Sequence, residues 1–310
     1  MNIFDKLRAE LISANAGLDL RIDVPMSEHT SFRIGGPAAL MAFPKSREEF
    51  LLCIKAASAL SVEPFVLGRG SNVLADDGRI ERFVVKTFPA LSGVVLTDDC
   101  TIRADCGAVL AKAANFALQN GLGGFEFAHG IPGTIGGAVR MNAGAFGGEI
   151  KDVLVTTEYC DRSGNVLTLE NAEHDFSHRH SVFSDNGGYV LSAVIRLHPD
   201  DRTAIKARMD DFASRRLKSQ PLDKPSAGSS FKRPENGYAS AMIDQCGLKG
   251  LTVGGAAVSE KHAGFIVNLG GASAADVTDL MELVKVRVYD KFGVMLEPEI
   301  ERLTSGASEV

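Results

Sequence analysis

The sequence predicts an α+β protein of two or three domains, and three observations carry that expectation. A helix-spaced apolar run leads into a short strand that meets glycine, and a second passage sets strand-like runs before a helix that glycine stops; several β-like runs then follow one another between residues 152 and 197; beyond residue 201 long amphipathic helices take over. The 310 residues, 45% of them hydrophobic, suffice to bury a large core without disulfides or metals.

Taken in order, MNIFDKLRAELISANAG places Ile3, Phe4, Leu7, Leu11 and Ile12 on one helical face, with acids and bases mixed through it, unlike a signal peptide. SREEFLLCIKAASAL opens with a Ser46 to Glu49 capping box, and EPFVLGRGSN follows as a strand running into a glycine turn. GVVL and CTIRADCG alternate like strands, AVLAKAANFALQN reads as helix, and Gly121 stops it. The runs VLVTTEYC, VLTLE and YVLSAVIRL read as strands divided by Ser163-Gly164-Asn165 and Asn186-Gly187-Gly188. A composition break at His198 to Asp201 marks a domain boundary. In SAADVTDLMELVKVRVYDKFG, Val277, Leu280, Met281, Val284 and Val288 face inward, with a Ser273 to Asp276 box in front and Gly293 behind; VMLEPEIERL closes the chain as a strand.

The formal net charge of -6 argues against a nucleic-acid binder. Five cysteines, with no C-x-x-C pair, read as reduced structural thiols and point to the cytoplasm; no apolar run approaches membrane-spanning length. His174, His178 and His180 in EHDFSHRHS lack the spacing of a ligand set, so no metal is expected. From Arg202 to Arg233, nine Lys or Arg stand against three Asp. For Arg202 to Lys218 a solvated helix face, with Ile205, Met209, Phe212 and Leu217 as its apolar stripe, accounts for the charge. Lys232 and Arg233, in a loop broken by proline and glycine, instead suit an anion.

Two glycine-rich elements carry the strongest functional signal. One is GRGSN (Gly68, Arg69, Gly70, Ser71, Asn72), leading into Val73; the other lies in FAHGIPGTIGGAVRMNAGAFGG, residues 127–148, which holds almost no charge and too much glycine for an ordinary helix or strand. In the second, Gly130, Ile131, Pro132, Gly133, Thr134, Gly136 and Gly137 are followed by Asn142, Ala143 and Gly144. Glycines let consecutive backbone N–H groups converge on a phosphate with no cationic side chain needed. Neither element is a Walker loop or a G-x-G-x-x-G turn. With Asn72 and Asn142 as amides and Phe125, Phe127 and Phe146 as ring contacts, together they suggest a dinucleotide held by loops.

TSFRIGGPA, LGRGSNVL, GIPGTIGGAVRMNAGAFGGEI, PSAGSSFKRP, KHAGFIVNLG and LEPEI occur here in one order. In this the chain resembles the UDP-N-acetylenolpyruvoylglucosamine reductase family of bacterial peptidoglycan precursor synthesis, over about residues 29 to 301. The resemblance implies a vanillyl-alcohol-oxidase (PCMH) type FAD-binding fold in two subdomains, 1–90 and 91–200, with an α+β substrate domain at 201–310. It implies FAD bound by the two glycine elements, NADPH as hydride donor, and UDP-N-acetylglucosamine-enolpyruvate as substrate; with no obvious histidyl or cysteinyl attachment motif, the FAD is expected to be noncovalent. The expectation is a monomer with neither nucleic-acid nor membrane partners.

The family's catalytic residues fall, motif by motif, on Arg179 in HRHS, Ser229 in GSSF and Glu299 in EPE; Lys232 and Arg233, paired cations next to Ser229, are expected to bind the UDP pyrophosphate. Hydride attack on the enolpyruvyl β-carbon builds negative charge on the α-carbon and its carboxylate, which Arg179 suits; Ser229 would return the proton. His178, Arg233 and Glu301 depart from the usual pattern, in place of tyrosine, asparagine and a basic residue. The length matches members lacking the tyrosine-bearing insertion. Two other readings are a fold-related FAD oxidase using oxygen, which has no reason to keep Ser229 with Glu299, and a noncatalytic nucleotide-sugar or flavin module.

Overall fold

A computed structural model describes residues 2–185 and 187–305. Asn186 of the second expected turn lies outside them. The chain forms two compact units, one of residues 1–22, 40–69 and 83–215, the other of 23–39, 70–82 and 216–310.

In the first unit, helices α1 (Ile3–Ala14) and α2 (Arg47–Ala59) bury Leu7, Leu11, Phe50, Cys53 and Ile54 with Leu40, Phe83 and Val85. Ser46 accepts the Glu49 N–H as expected, but the Glu49 carboxylate takes the N–H of Lys45 and the Asn15 amide, so only half of the capping box forms. The strand Pro64–Leu67 runs parallel to Ile80–Lys86, Leu67 opposite Lys86. A second core lies on an antiparallel sheet ordered Val166–Glu170, Leu154–Cys160, Tyr189–Arg196, Thr101–Asp105, Val94–Asp98. Helices α3 (Leu110–Gln119) and α4 (Ile135–Arg140) contribute Leu110, Ala113, Ile135 and Val139 to that core.

Helix α5 (Arg202–Ser219) begins at the composition break and sends Ile205 and Met209 into the second core. Three of its bases are answered by acids: Arg208 binds Glu126 and Asp200, Lys206 binds Asp210, and Arg215 binds Asp211. Leu217, assigned to the apolar stripe, is 62% exposed, because the stripe ends with Phe212.

In the second unit the sheet is ordered Ser226–Ser229, Phe265–Asn268, Ala256–Val258, Thr252–Val253, all antiparallel. Its core is filled by α6 (Ala239–Gln245) and α7 (Ala274–Phe292), and Val277, Leu280, Met281, Val284 and Val288 of α7 are buried. Ser273 and Asp276 cap α7 reciprocally and Gly293 ends it at φ 67°. The closing strand is shorter than expected. Only Glu301–Leu303 is strand, parallel to Val73–Ala75; before it, Pro298 supplies no N–H and the segment meets residues 230–232 through an isolated bridge.

Candidate active site

In the first unit, the turn after Pro64–Leu67 meets the long glycine segment directly. A Cβ on Gly68 would stand 2.3 Å from Thr134 Oγ1, so this approach needs glycine. Thr134 precedes α4 and bridges Val109, while the Ile135 and Gly136 N–H groups bond Ala108 and Cys106 oxygens. Beside the turn, the Arg69 guanidinium lies 5.5 Å from the Phe88 ring center. Burial, aided by the Arg69 charge, lowers the Lys86 ammonium to about 8. Sequence reading missed Lys86; its signal was a charge ending the apolar run ERFVVK.

The glycine segment is then pinned from within. His129, at its entrance, has a buried Nδ1 without a hydrogen-bond partner, and burial lowers its pKa. Asn142 is 1% exposed at φ 40°, and its amide is spent on Glu149, Ser177 and Lys151 rather than turned outward. Phe125 and Phe127 pack edge to face in the core, and Phe146 stacks on Phe212 at 4.6 Å, so these rings are committed to protein neighbors. The cradle at Gly68, the orphaned His129 nitrogen and the Arg69 and Lys86 charges fit an anionic cofactor held by loops.

Arg179 sits at the tip of a tight turn closed by reciprocal backbone bonds between Ser177 and His180, at φ 59°, a conformation that side chains adopt at a cost and that clusters at functional sites. Two of the histidines nearby, His174 and His180, serve the fold. His174 is fully buried between Glu170 oxygen and the Thr157 hydroxyl, and His180 meets Asp185. Among the described residues no group of three His, Cys, Asp or Glu could hold a metal.

In the second unit, Ser226 pairs with Val267 and Ser229 with Phe265, so the strand carries one extra residue, with Gly228 at φ 83°. A bulge of this kind re-aims the side chains beside it, here Ser229. The next residue locks the bulge: Ser230 is fully buried, its N–H bonds Gly264 oxygen and its hydroxyl accepts the Ile266 N–H. Ser230 oxygen accepts the Glu299 N–H at 3.0 Å, which brings Glu299 beside the serine pair. Asn72 braces the other side, donating to Glu299 oxygen at 3.0 Å and accepting the Glu301 N–H. Ser71, Val73 and Gly70 continue this element, and Gly70 is packed on His29 oxygen.

TSFRIGGPA enters the same arrangement: the Ser31 hydroxyl bonds Ser226 oxygen at 2.6 Å, and Asn268 bonds Phe32 oxygen. Ser31, Ser230 and Asn268 had no sequence signal, being ordinary polar residues until pairing buries them. Lys232 pairs with Glu297 at 3.3 Å, and Arg233 lies 4.1 Å from the Tyr238 ring center.

Comparison with known proteins decides the family. Residues 220–303 match the model for the UDP-N-acetylenolpyruvoylglucosamine reductase C-terminal domain, and residues 38–170 match an FAD binding domain. A UDP-N-acetylenolpyruvoylglucosamine reductase of Clostridioides difficile (strain 630) is 44% identical over 92% of this chain and 93% of its own length. The chain belongs to the UDP-N-acetylenolpyruvoylglucosamine reductase family. A relative of the same name from Caldanaerobacter subterraneus is 46% identical over 91% of this chain and 93% of its own. The crystal structure of the Thermus caldophilus reductase superposes with a TM-score of 0.75 at 33% identity, covering 92% of this chain and 98% of that one. Family and fold thus agree with the expected FAD-binding PCMH-type architecture followed by an α+β C-terminal domain.

Proposed function

We propose that the protein is the NADPH-dependent flavoenzyme that reduces the enolpyruvyl group of UDP-N-acetylglucosamine-enolpyruvate to the lactyl ether of UDP-N-acetylmuramate, in the cytoplasm. The observation that carries this reading is the family's near full-length match together with a serine set on a bulge beside the backbone of Glu299. FAD, when bound, would supply the hydride chemistry that links NADPH to the substrate β-carbon. The two glycine elements, from Gly68 to Val73 and from Gly130 to Gly144, with Arg69 and Lys86, hold that cofactor without a covalent bond.

The chain's own residues manage charge and proton. Arg179 donates to the carboxylate of the growing enolate through the fixed, planar fork of its guanidinium. Ser229 gives its hydroxyl proton to the α-carbon; an alcohol is a weak acid, but a carbanion-like enolate is basic enough to take it. Glu299 orients the intermediate, and Lys232 and Arg233 bind the UDP pyrophosphate after leaving Glu297 and Tyr238.

Anaerobic titration tests the reading. The purified yellow protein should be bleached by NADPH and regain its flavin spectrum when the enolpyruvyl substrate is added. Color restored only by oxygen would favor the oxidase reading, and bound ligand without any bleaching the noncatalytic one.

A further inference from the structure

We infer that Glu149, acting with Asn142, positions Arg179: carboxylate and amide together hold the turn that carries the guanidinium, and so tie it to the glycine segment. The inference rests on the role proposed above for Arg179.

Three stretches of the first unit meet at Asn142. Its Nδ2 donates both to Glu149 Oε2 at 3.0 Å and to Ser177 oxygen at 3.1 Å, and its Oδ1 accepts the Lys151 N–H at 3.1 Å. Both amide hydrogens are therefore used, one on the carboxylate and one on the first residue of the arginine turn. Lys151 Nζ lies 2.8 Å from Glu149 Oε2 and holds the carboxylate, while the Glu149 backbone N–H donates to Asp152 Oδ2 at 2.8 Å. The turn itself is closed by the Ser177 and His180 bonds at 3.2 and 3.3 Å, and its far side is tethered where the Ser181 hydroxyl bonds Arg140 oxygen at 2.8 Å and Arg140 bonds Phe183 oxygen.

The charges complete the case. Burial works to raise the Glu149 carboxyl, but Lys151, the Asn142 amide and the Arg179 charge outweigh it and hold the group below the usual carboxylate range. Glu149 is thus an anion within electrostatic reach of Arg179, with Lys151 and Asp152 as its other charged neighbors. A neutral residue could shape the loop, but it could not also set the field at the guanidinium. Asn142 and Arg179 both hold left-handed backbone, which persists where surrounding bonds over-determine it.

The experiment compares half-reactions in holoenzyme carrying Glu149→Gln, Glu149→Asp, Arg179→Lys or the Glu149→Gln/Arg179→Lys pair. Glu149→Gln keeps an acceptor for Asn142 and removes only the charge. NADPH-driven bleaching should keep its rate, while return of the flavin spectrum at saturating substrate should slow by about tenfold or more, the size expected when an interaction made in the transition state is lost. Glu149→Asp, which keeps the charge, should recover part of that rate. The paired variant should lose less than the product of the single losses, since both act through one guanidinium. Multiplicative losses, or a Gln variant that slows bleaching and return alike, would overturn the inference. Arg179→Lys without effect on the return would instead remove the role of Arg179 on which it stands.

Discussion

Gly68→Ala is the sharpest perturbation of the cofactor cradle, because the structure says what the added methyl group meets. Its Cβ would lie 2.3 Å from Thr134 Oγ1, 3.2 Å from Cγ2 and 3.3 Å from Cβ, and Thr134 is only 3% exposed. Contacts this short force the turn or the threonine to move, and overpacking of this kind costs about 1 to 3 kcal/mol. If the displaced turn is the one FAD binds, the same displacement weakens flavin binding by about tenfold for each 1.4 kcal/mol. Thr134→Ala removes the two nearest atoms and leaves a contact of 3.3 Å, so the Gly68→Ala/Thr134→Ala double variant should regain most of the stability that Gly68→Ala loses. Urea denaturation of the cofactor-free protein and fluorescence titration with FAD measure the two effects. Unchanged stability and flavin affinity in Gly68→Ala would refute the close approach, and a double variant no better than the single would refute Thr134 as its cause.

Lys86 gives a pH dependence. Its ammonium is held at about 8 against an ordinary 10.5, so between those values the unfolded chain keeps a proton that the folded chain has released, and stability rises with pH. Lys86→Met should remove that part of the slope; identical slopes in the two proteins would place Lys86 in water. Neutralizing both Lys232 and Arg233 should raise the apparent substrate KM about tenfold or more, from roughly 1.5 to 3 kcal/mol per charge-assisted hydrogen bond. An unchanged KM would leave them to Glu297 and Tyr238.

The local signals of the sequence carried much of the fold. The Ser273 to Asp276 box, Gly293 and the alternating strands depend on near neighbors, and each appears where its residue types require. What depends on distant pairing was hidden. Nothing in GRGSN shows that Asn72 will brace Glu299, 227 residues away, or that residues 23–39 will join the unit built mainly from the C-terminal segment. Phe125 and Phe127 look available in a glycine-rich stretch until a core forms around them. For the same reason, Asn142 reads as a ligand amide in the sequence, whereas the folded chain spends it on its own carboxylate and carbonyl.

The central claim, that Ser229 returns the proton after hydride transfer, is tested most directly by rapid mixing of the Ser229→Ala holoenzyme. Flavin reduction by NADPH should proceed nearly as in the unmutated protein, while reoxidation by the enolpyruvyl substrate should slow by about 10²-fold or more, the usual size of general acid catalysis. Ser229→Cys should lose less, since a thiol also donates a proton. Reoxidation at the normal rate in the alanine variant, with substrate saturating, would contradict the assignment and leave Ser229 as the residue that shapes the bulge.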